Sequence, residues 1–365
     1  MQVTRYNNSI ITLLLLVVAL PLYGSDTTRR KKSPVSVFPV PAFGYAPETR
    51  WYVGAVALFN LRFLQKDSFS RVSSAKAEIN YTQNKQLIAE VQWSAFSKTG
   101  SWYHEGLLGY RKFPELYWGV GANTPDSVKE LYSAKRIEAD IRSLKLVGAN
   151  SFLGLRFRLQ NMFDVEFKNG GLMETSRVVG SQGAVSAGVG PAFLYDSRKN
   201  ALNAQQGVFF STSFLHFGKS FGSSVQFNRF EADARKYYKL NTTVLALQAY
   251  TVLNMGGAPP FRMMGLMGSD REMRGYYQGR YRDQNYFSLQ AEWRVPVKWG
   301  LGFAVFGGAG EVFEWGSPYA VKVFKYTAGG GLRIRVDKKD NINMRFDYAV
   351  GYKTSGFYVA FAEAF

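Results

Sequence analysis

Charged and apolar side chains take turns along most of this chain. In 136–142, Arg136, Glu138, Asp140 and Arg142 share one face, and Ile137, Ala139 and Ile141 share the other. In 229–235, Arg229, Glu231, Asp233 and Arg235 alternate with Phe230, Ala232 and Ala234. The same period runs through 286–295, where Ser288, Gln290, Glu292 and Arg294 oppose Phe287, Leu289, Ala291, Trp293 and Val295. In 342–348, Asn343, Arg345 and Asp347 oppose Ile342, Met344, Phe346 and Tyr348, and Lys76, Glu78 and Asn80 oppose Ala77, Ile79 and Tyr81. Successive side chains of a β-strand point to opposite faces, so a period of two identifies strands.

The pattern predicts about sixteen strands, an even number as in single-chain bacterial barrels. They fall over roughly 34–43, 50–64, 71–83, 86–98, 101–113, 129–142, 144–160, 183–196, 206–216, 223–238, 242–254, 285–297, 300–313, 320–336, 341–351 and 355–365. A secreted sandwich would turn its apolar faces to a core. Here the pattern recurs with no helical segment to cover it. A polar face around a wet lumen and an apolar face against hydrocarbon accommodate every strand at once. The expected fold class is therefore all-β, a transmembrane antiparallel β-barrel of about sixteen strands. With both ends periplasmic, the short connections at Ser97–Gly100, Ser143, Lys239–Asn241, Lys298–Trp299 and Asp337–Asp340 share one side. The longer stretches 114–128, 161–182 and 255–284 share the other, with 197–205 the longest periplasmic turn.

The two ends of the barrel meet at a seam. Pro39 and Pro41 in the first strand cannot donate ladder hydrogen bonds, which suits an edge. In the last strand Phe357, Val359, Phe361 and Phe365 fall on one apolar face that ends at an interfacial aromatic, as a C-terminal assembly signal would. Gly356 either weakens pairing at the seam, leaving an edge on which a client strand could template, or relieves crowding at a bend.

The beginning of the chain sets the compartment. Arg5, an apolar run from Ile10 to Leu20 and a small residue at Gly24 describe a secretory signal peptide over 1–24, too short for a spanning helix. Residues 25–33 then form a short periplasmic segment whose Arg29-Arg30-Lys31-Lys32 run reads as a solvated cluster near lipid phosphates, and 34–365 form the barrel. The chain has no cysteine, which excludes an N-terminal lipid-modified Cys, disulfides and thiolate chemistry. Its net charge of +18 is dispersed over positions that also hold acids. That suits outer-membrane lipid and lipopolysaccharide phosphates rather than a nucleic-acid groove.

Enzyme chemistry finds no support. The two histidines, His104 and His216, are far apart and lack a Ser-His-acid spacing. No Cys/His cluster offers a metal site. Gly188-Val189-Gly190 lies in a strand with no following helix, so no nucleotide or other cofactor is expected.

Several motifs carry a family resemblance. The sixth outer loop, 255–284, contains Met267-Gly268-Ser269-Asp270-Arg271-Glu272-Met273-Arg274-Gly275-Tyr276, and the next strand reads Gln290-Ala291-Glu292-Trp293-Arg294-Val295-Pro296. Tyr195-Asp196-Ser197-Arg198 with Gly207, Gly329-Gly330-Gly331-Leu332-Arg333, and Arg345-Phe346-Asp347-Tyr348-Ala349 complete the set. In these the chain resembles the BamA/TamA-type outer-membrane β-barrel superfamily (the bacterial surface antigen barrel), closely over about 190–365 and loosely before. The resemblance implies that the sixth loop folds into the lumen. Arg274 then pairs with Glu292, Gly275 turns the backbone and Tyr276 packs on the wall. The family's second acid, in Phe-x-Asp-x-Gly, is absent, since the run here is Phe306-Gly307-Gly308-Ala309-Gly310. Glu292 is left to carry more of the network.

The resemblance also implies a role in inserting or translocating outer-membrane proteins, alongside the outer-membrane assembly machinery. A barrel-only member without periplasmic POTRA domains would borrow a client-docking arm from a partner that has them, act by perturbing the bilayer at its seam, or have abandoned assembly. The alternative is a passive pore or accessory structural barrel.

Overall fold

Period-two alternation with β-branched and aromatic residues on one face produces long antiparallel strands, and every stretch with that pattern is extended. The computed structural model describes residues 35–61, 73–315, 324–337 and 341–365. The expected signal peptide (1–24), the segment 25–33 and the turn at 338–340 lie outside them.

Sixteen strands follow in chain order. They are β1 Val35–Ala46, β2 Arg50–Leu61, β3 Ser73–Thr82, β4 Leu87–Phe96, β5 Trp102–Lys112, β6 Glu130–Gly148, β7 Ser151–Glu166 and β8 Ala184–Asp196. The second half holds β9 Gly207–Phe217, β10 Phe227–Leu240, β11 Thr243–Met255, β12 Asn285–Pro296, β13 Leu301–Phe313, β14 Lys325–Asp337, β15 Ile342–Gly351 and β16 Thr354–Phe361. Each pairs antiparallel with its neighbours, and β1 returns to β16 to close the barrel. A short strand, Glu115–Tyr117, lies along the start of β6. No helix among the described residues is long and apolar enough to cross a membrane.

The sidedness is inverted relative to a soluble protein. Arg136, Arg156, Glu292 and Asp347 are buried, while Val53, Ile79, Leu155, Trp293 and Leu332 are exposed. Opposite charges meet on the inner wall. Arg156 bridges Asp140 and Glu231 at 2.5 Å each, and Glu231 also accepts from Arg158 at 2.8 Å and Arg229 at 2.6 Å.

Two expectations fail locally. Ser143 is not a turn, for β6 runs on through it to Gly148 and the chain reverses at 149–150, with Asn150 at φ +59. The sign of the alternation changes there. Leu144 faces inward into an apolar cluster with Phe152, Ala192 and Leu194, so the polar-inside reading loses the strand. The second correction concerns Phe365. Phe357 and Phe361 face outward, but β16 ends at Phe361, Ala362 takes φ +66, and residues 362–365 turn into the barrel. Phe365 is buried there with Ala364 against Ala204, Tyr237 and Ala246, and its carbonyl accepts a bond from Arg294 at 2.7 Å. A buried acceptor for Arg294 outweighs an outward aromatic.

Candidate functional site: the long loop, its lumenal anchor and the barrel joint

Strands β11 and β12 leave residues 256–284 between them, and this loop enters the barrel. Its two limbs pair at Gly265–Leu266 with Arg282–Asp283. Met267, Met273, Tyr276 and Tyr281 pack on Val252 of β11, Tyr286 of β12 and Val312 of β13. That apolar contact brings Arg274 to the inner wall.

The Arg274 guanidinium is 1% exposed and spans two carboxylates, Glu292 at 2.5 Å and Asp347 at 2.6 Å. Its planar fork of donors makes such double pairing possible. The ring of Phe306 lies beneath it, 3.4 Å from the guanidinium carbon to the ring centroid. Other cations surround the same acids. Arg294 meets Glu292 at 2.7 Å, and Arg333 meets Asp347 at 2.6 Å and Glu363 at 2.7 Å. Arg345 bridges Asp347 and the loop's Asp270, both at 2.8 Å. Every carboxylate in this cluster therefore faces at least one guanidinium, and all but Asp270 are buried.

Arg274, Gly275, Tyr276 and Glu292 thus come together, and Asp347 joins them from β15. The sequence motif points to an acid on β13 instead, where Gly308 stands. A Cβ built on Gly308 would come within 3.4 Å of the Met273 sulfur, so the loop's own side chain fills that space. Asp347 is the inward-facing acid of the alternating run 342–348. That parity was its available signal.

Gly275 has φ +103, a conformation side chains rarely adopt, and an added Cβ would lie 3.0 Å from the Val350 carbonyl carbon. Its N–H donates to the Tyr358 hydroxyl at 2.8 Å, and its carbonyl accepts from Thr354 at 3.0 Å. Tyr276 donates to the Tyr326 carbonyl and accepts from the Tyr352 N–H, both at 2.8 Å. Two residues on, the Gln278 N–H donates to the Glu48 carboxylate at 2.6 Å, in the turn between β1 and β2. The loop therefore holds β16 through Tyr358 and Thr354 and the first hairpin through Glu48. It bridges the barrel joint.

The joint itself is sparse. Among the described residues β1 and β16 share one backbone pair, Tyr45 with Val359, whereas β1 and β2 pair continuously from Val35 to Ala46. Outward aromatics reinforce it: Phe43 lies 6.4 Å from Phe361 and Tyr45 5.7 Å from Phe357, centroid to centroid. At Gly356 an added Cβ would come 2.9 Å from Pro47 and 2.6 Å from the Tyr358 hydroxyl, so this glycine permits a close approach.

Loop carboxyls sense these surroundings. Burial pushes Glu48 up to about 7, against the Gln278 N–H that favours its charge. Burial likewise lifts Glu272 to about 7, with Asp233 adding to the shift. Burial works to raise Glu115 too, but Arg262 and Arg136, at 2.8 and 3.1 Å, outweigh it and hold that carboxyl below its usual range. Glu115 thereby ties the 113–129 loop to the long loop. His104, outward and stacked on Trp102, and His216, bonded to Asn228 at 2.8 Å, stand apart from all of this.

Residues 59–365 match the Omp85 superfamily domain. Among solved structures the fold is similar to BamA from Haemophilus ducreyi lacking POTRA domains 1-3, at 14% identity and TM-score 0.59, covering 91% of this chain and 70% of that one. It is also similar to CdiB from Escherichia coli, at 10% identity and TM-score 0.56, covering 91% and 63%. CdiB from Acinetobacter baumannii matches at 11% identity and TM-score 0.54, covering 90% and 60%. Comparison with curated proteins finds no match.

Proposed function

Because the chain belongs to the Omp85 superfamily, whose barrels are outer-membrane proteins, we propose that it inserts or translocates other outer-membrane proteins at the joint between β1 and β16. The observation that carries this reading is the single backbone pair, Tyr45 with Val359. β16 stops at Phe361, so β1 below Phe43 has no neighbour on that side among the described residues. An unpaired sheet edge accepts an incoming strand by backbone hydrogen bonds.

The edge is not a full template. β1 pairs with β2 through Pro39 and Pro41 without a break. In an antiparallel ladder alternate residues point their backbone groups to alternate sides, so the proline nitrogens face the joint. The edge offers carbonyls at 39 and 41 but no N–H. An incoming strand would find half a ladder there, which favours transient pairing and release.

The chain lacks cysteine, so an engineered pair reports cleanly. Phe43→Cys with Phe361→Cys should form a disulfide across the joint. Oxidation should then lower the envelope levels of other barrel proteins in cells dependent on this protein, and reductant should restore them. Unchanged client levels with the joint fully bridged would rule out the proposed route. An open pore is the weaker reading, because the long loop and its charged anchors occupy the lumen.

A further inference from the structure

Acids are unequally shared between the described connections at the two ends of the barrel. At the end where residues 362–365 turn in, the connections 97–101, 149–150, 197–206, 241–242 and 297–300 contain Lys98, Arg198, Lys199 and Lys298 and no Asp or Glu. The nearby strand ends add Lys145, Lys236 and Lys239. At the other end the connections carry both signs, with acids at Glu48, Glu115, Asp126, Glu174, Asp270, Glu272 and Asp283 among cations such as Lys85, Lys168, Lys219 and Lys353. Arg198 is paired with Asp196, but Lys98, Lys145, Lys199, Lys239 and Lys298 have no ion-pair partner among the described residues.

Aromatic side chains accompany these lysines. Trp299, beside Lys298, is 94% exposed. Lys236 lies over the exposed Tyr238 ring, 5.4 Å from its centroid, and Lys145 stands across the strand pair from the exposed Trp102. Such rings sit where hydrocarbon meets headgroup, and lysine stems lie along apolar surface while the ammonium reaches a phosphate. Lys236 also closes one end of a groove of about 790 Å³ on the outward wall. Phe210, Leu247, Leu289 and Tyr326 line it. Arg235, next in sequence, turns instead to Asp233 in the lumen.

We propose that this end of the barrel binds anionic glycerophospholipid, with Lys236 on the phosphodiester of a lipid whose acyl chain lies in the groove. Lys98, Lys145, Lys199, Lys239 and Lys298 then form a belt around the surrounding headgroups. A zwitterionic headgroup offers these lysines no net charge, and the nearby described acids Asp196 and Glu363 are taken up by Arg198 and Arg333, so the surface discriminates between lipids as well as anchoring the barrel. The inference requires a barrel in a bilayer and is independent of insertion activity.

Native mass spectrometry of the purified barrel, equilibrated in detergent with equal phosphatidylglycerol, phosphatidylcholine and lipid A, tests it. Phosphatidylglycerol should be retained preferentially. A lysine near an anionic surface shifts binding about fivefold, so Lys236→Gln/Lys239→Gln/Lys298→Gln should reduce retention at least about tenfold by the same measure. The matching Lys→Arg triple variant should keep it. Lys85→Gln/Lys112→Gln/Lys219→Gln, at the opposite end, should also leave retention unchanged. Equal retention of phosphatidylglycerol and phosphatidylcholine, preference for lipid A, or equal losses from both glutamine variants would overturn the proposal. Heat-modified gel mobility confirms that each variant is folded.

Discussion

Arg274 shows what a single side chain contributes when water is excluded around it. Removing a partner from a buried ion pair costs about 3–5 kcal/mol, because the remaining charge stays desolvated. Arg274→Ala would leave Glu292 to Arg294 and Asp347 to Arg333 and Arg345, with one buried negative charge uncompensated. It should lower the temperature at which the folded band disappears in heat-modified gels far more than Arg280→Ala. Arg280 meets an exposed Asp126 at 3.4 Å and a loop carbonyl instead. Arg274→Lys should recover little, since one ammonium cannot reproduce the fork. Glu48 provides a pH test. Its folded-state value of about 7 lies above the ordinary 4.5, so the folded form binds the proton more tightly. Stability from this group therefore falls as pH rises from about 4.5 to about 7, by up to about 3 kcal/mol over that interval. Glu48→Gln should flatten that part of the denaturation midpoint against pH. Glu272 leaves a residual slope of the same sign. An unchanged profile in Glu48→Gln would show that this carboxyl is solvated.

At the scale of elements, β1 and β16 are the unusual pair. The other barrel strands are ladders on both sides, and their stability is distributed over many backbone bonds. The joint concentrates its closure in one backbone pair, two outward aromatic contacts and the grip of the long loop. Prolines on an edge protect it from unwanted strand addition. Replacing Pro39 and Pro41 by Val should return two N–H donors to the open side of β1. The expected result is a larger share of dimers or higher species in crosslinked detergent samples than the parent gives. A double variant with the same crosslinking pattern as the parent would place those nitrogens toward β2 instead.

Across the whole molecule, one charged network connects the two ends. It begins at Asp270 and Arg274 in the long loop and passes through Arg345, Asp347, Glu292 and Arg333 on the wall. It ends at the inturned tail, where Arg333 holds Glu363 and Arg294 holds the Phe365 carbonyl. Loop and tail thus narrow the lumen from opposite ends. Replacing 268–280 by a short Gly-Ser linker should convert small, flickering planar-bilayer currents into a large steady conductance. A parent that already conducts steadily would show that the loop leaves the lumen open.

Strand identity, sidedness and the approximate number of staves were written in the sequence. They depend on a two-residue period that hydrocarbon outside and water inside impose on each strand separately. The loop motif around Arg274 and its partner Glu292 was also legible, being one short segment and the strand that follows. Where a local pattern reverses, as at the inward Leu144, the period no longer marks the strand and Ser143 looks like a turn. Only the closed barrel decided that Asp347, 73 residues from Arg274, supplies the second carboxylate, that Phe306 lies beneath the guanidinium, and that Phe365 turns inward. Parity assigns a face to each of these residues, or misassigns it, but not a height or a neighbour. Those follow from strand stagger and closure, which become fixed when the first and last strands meet.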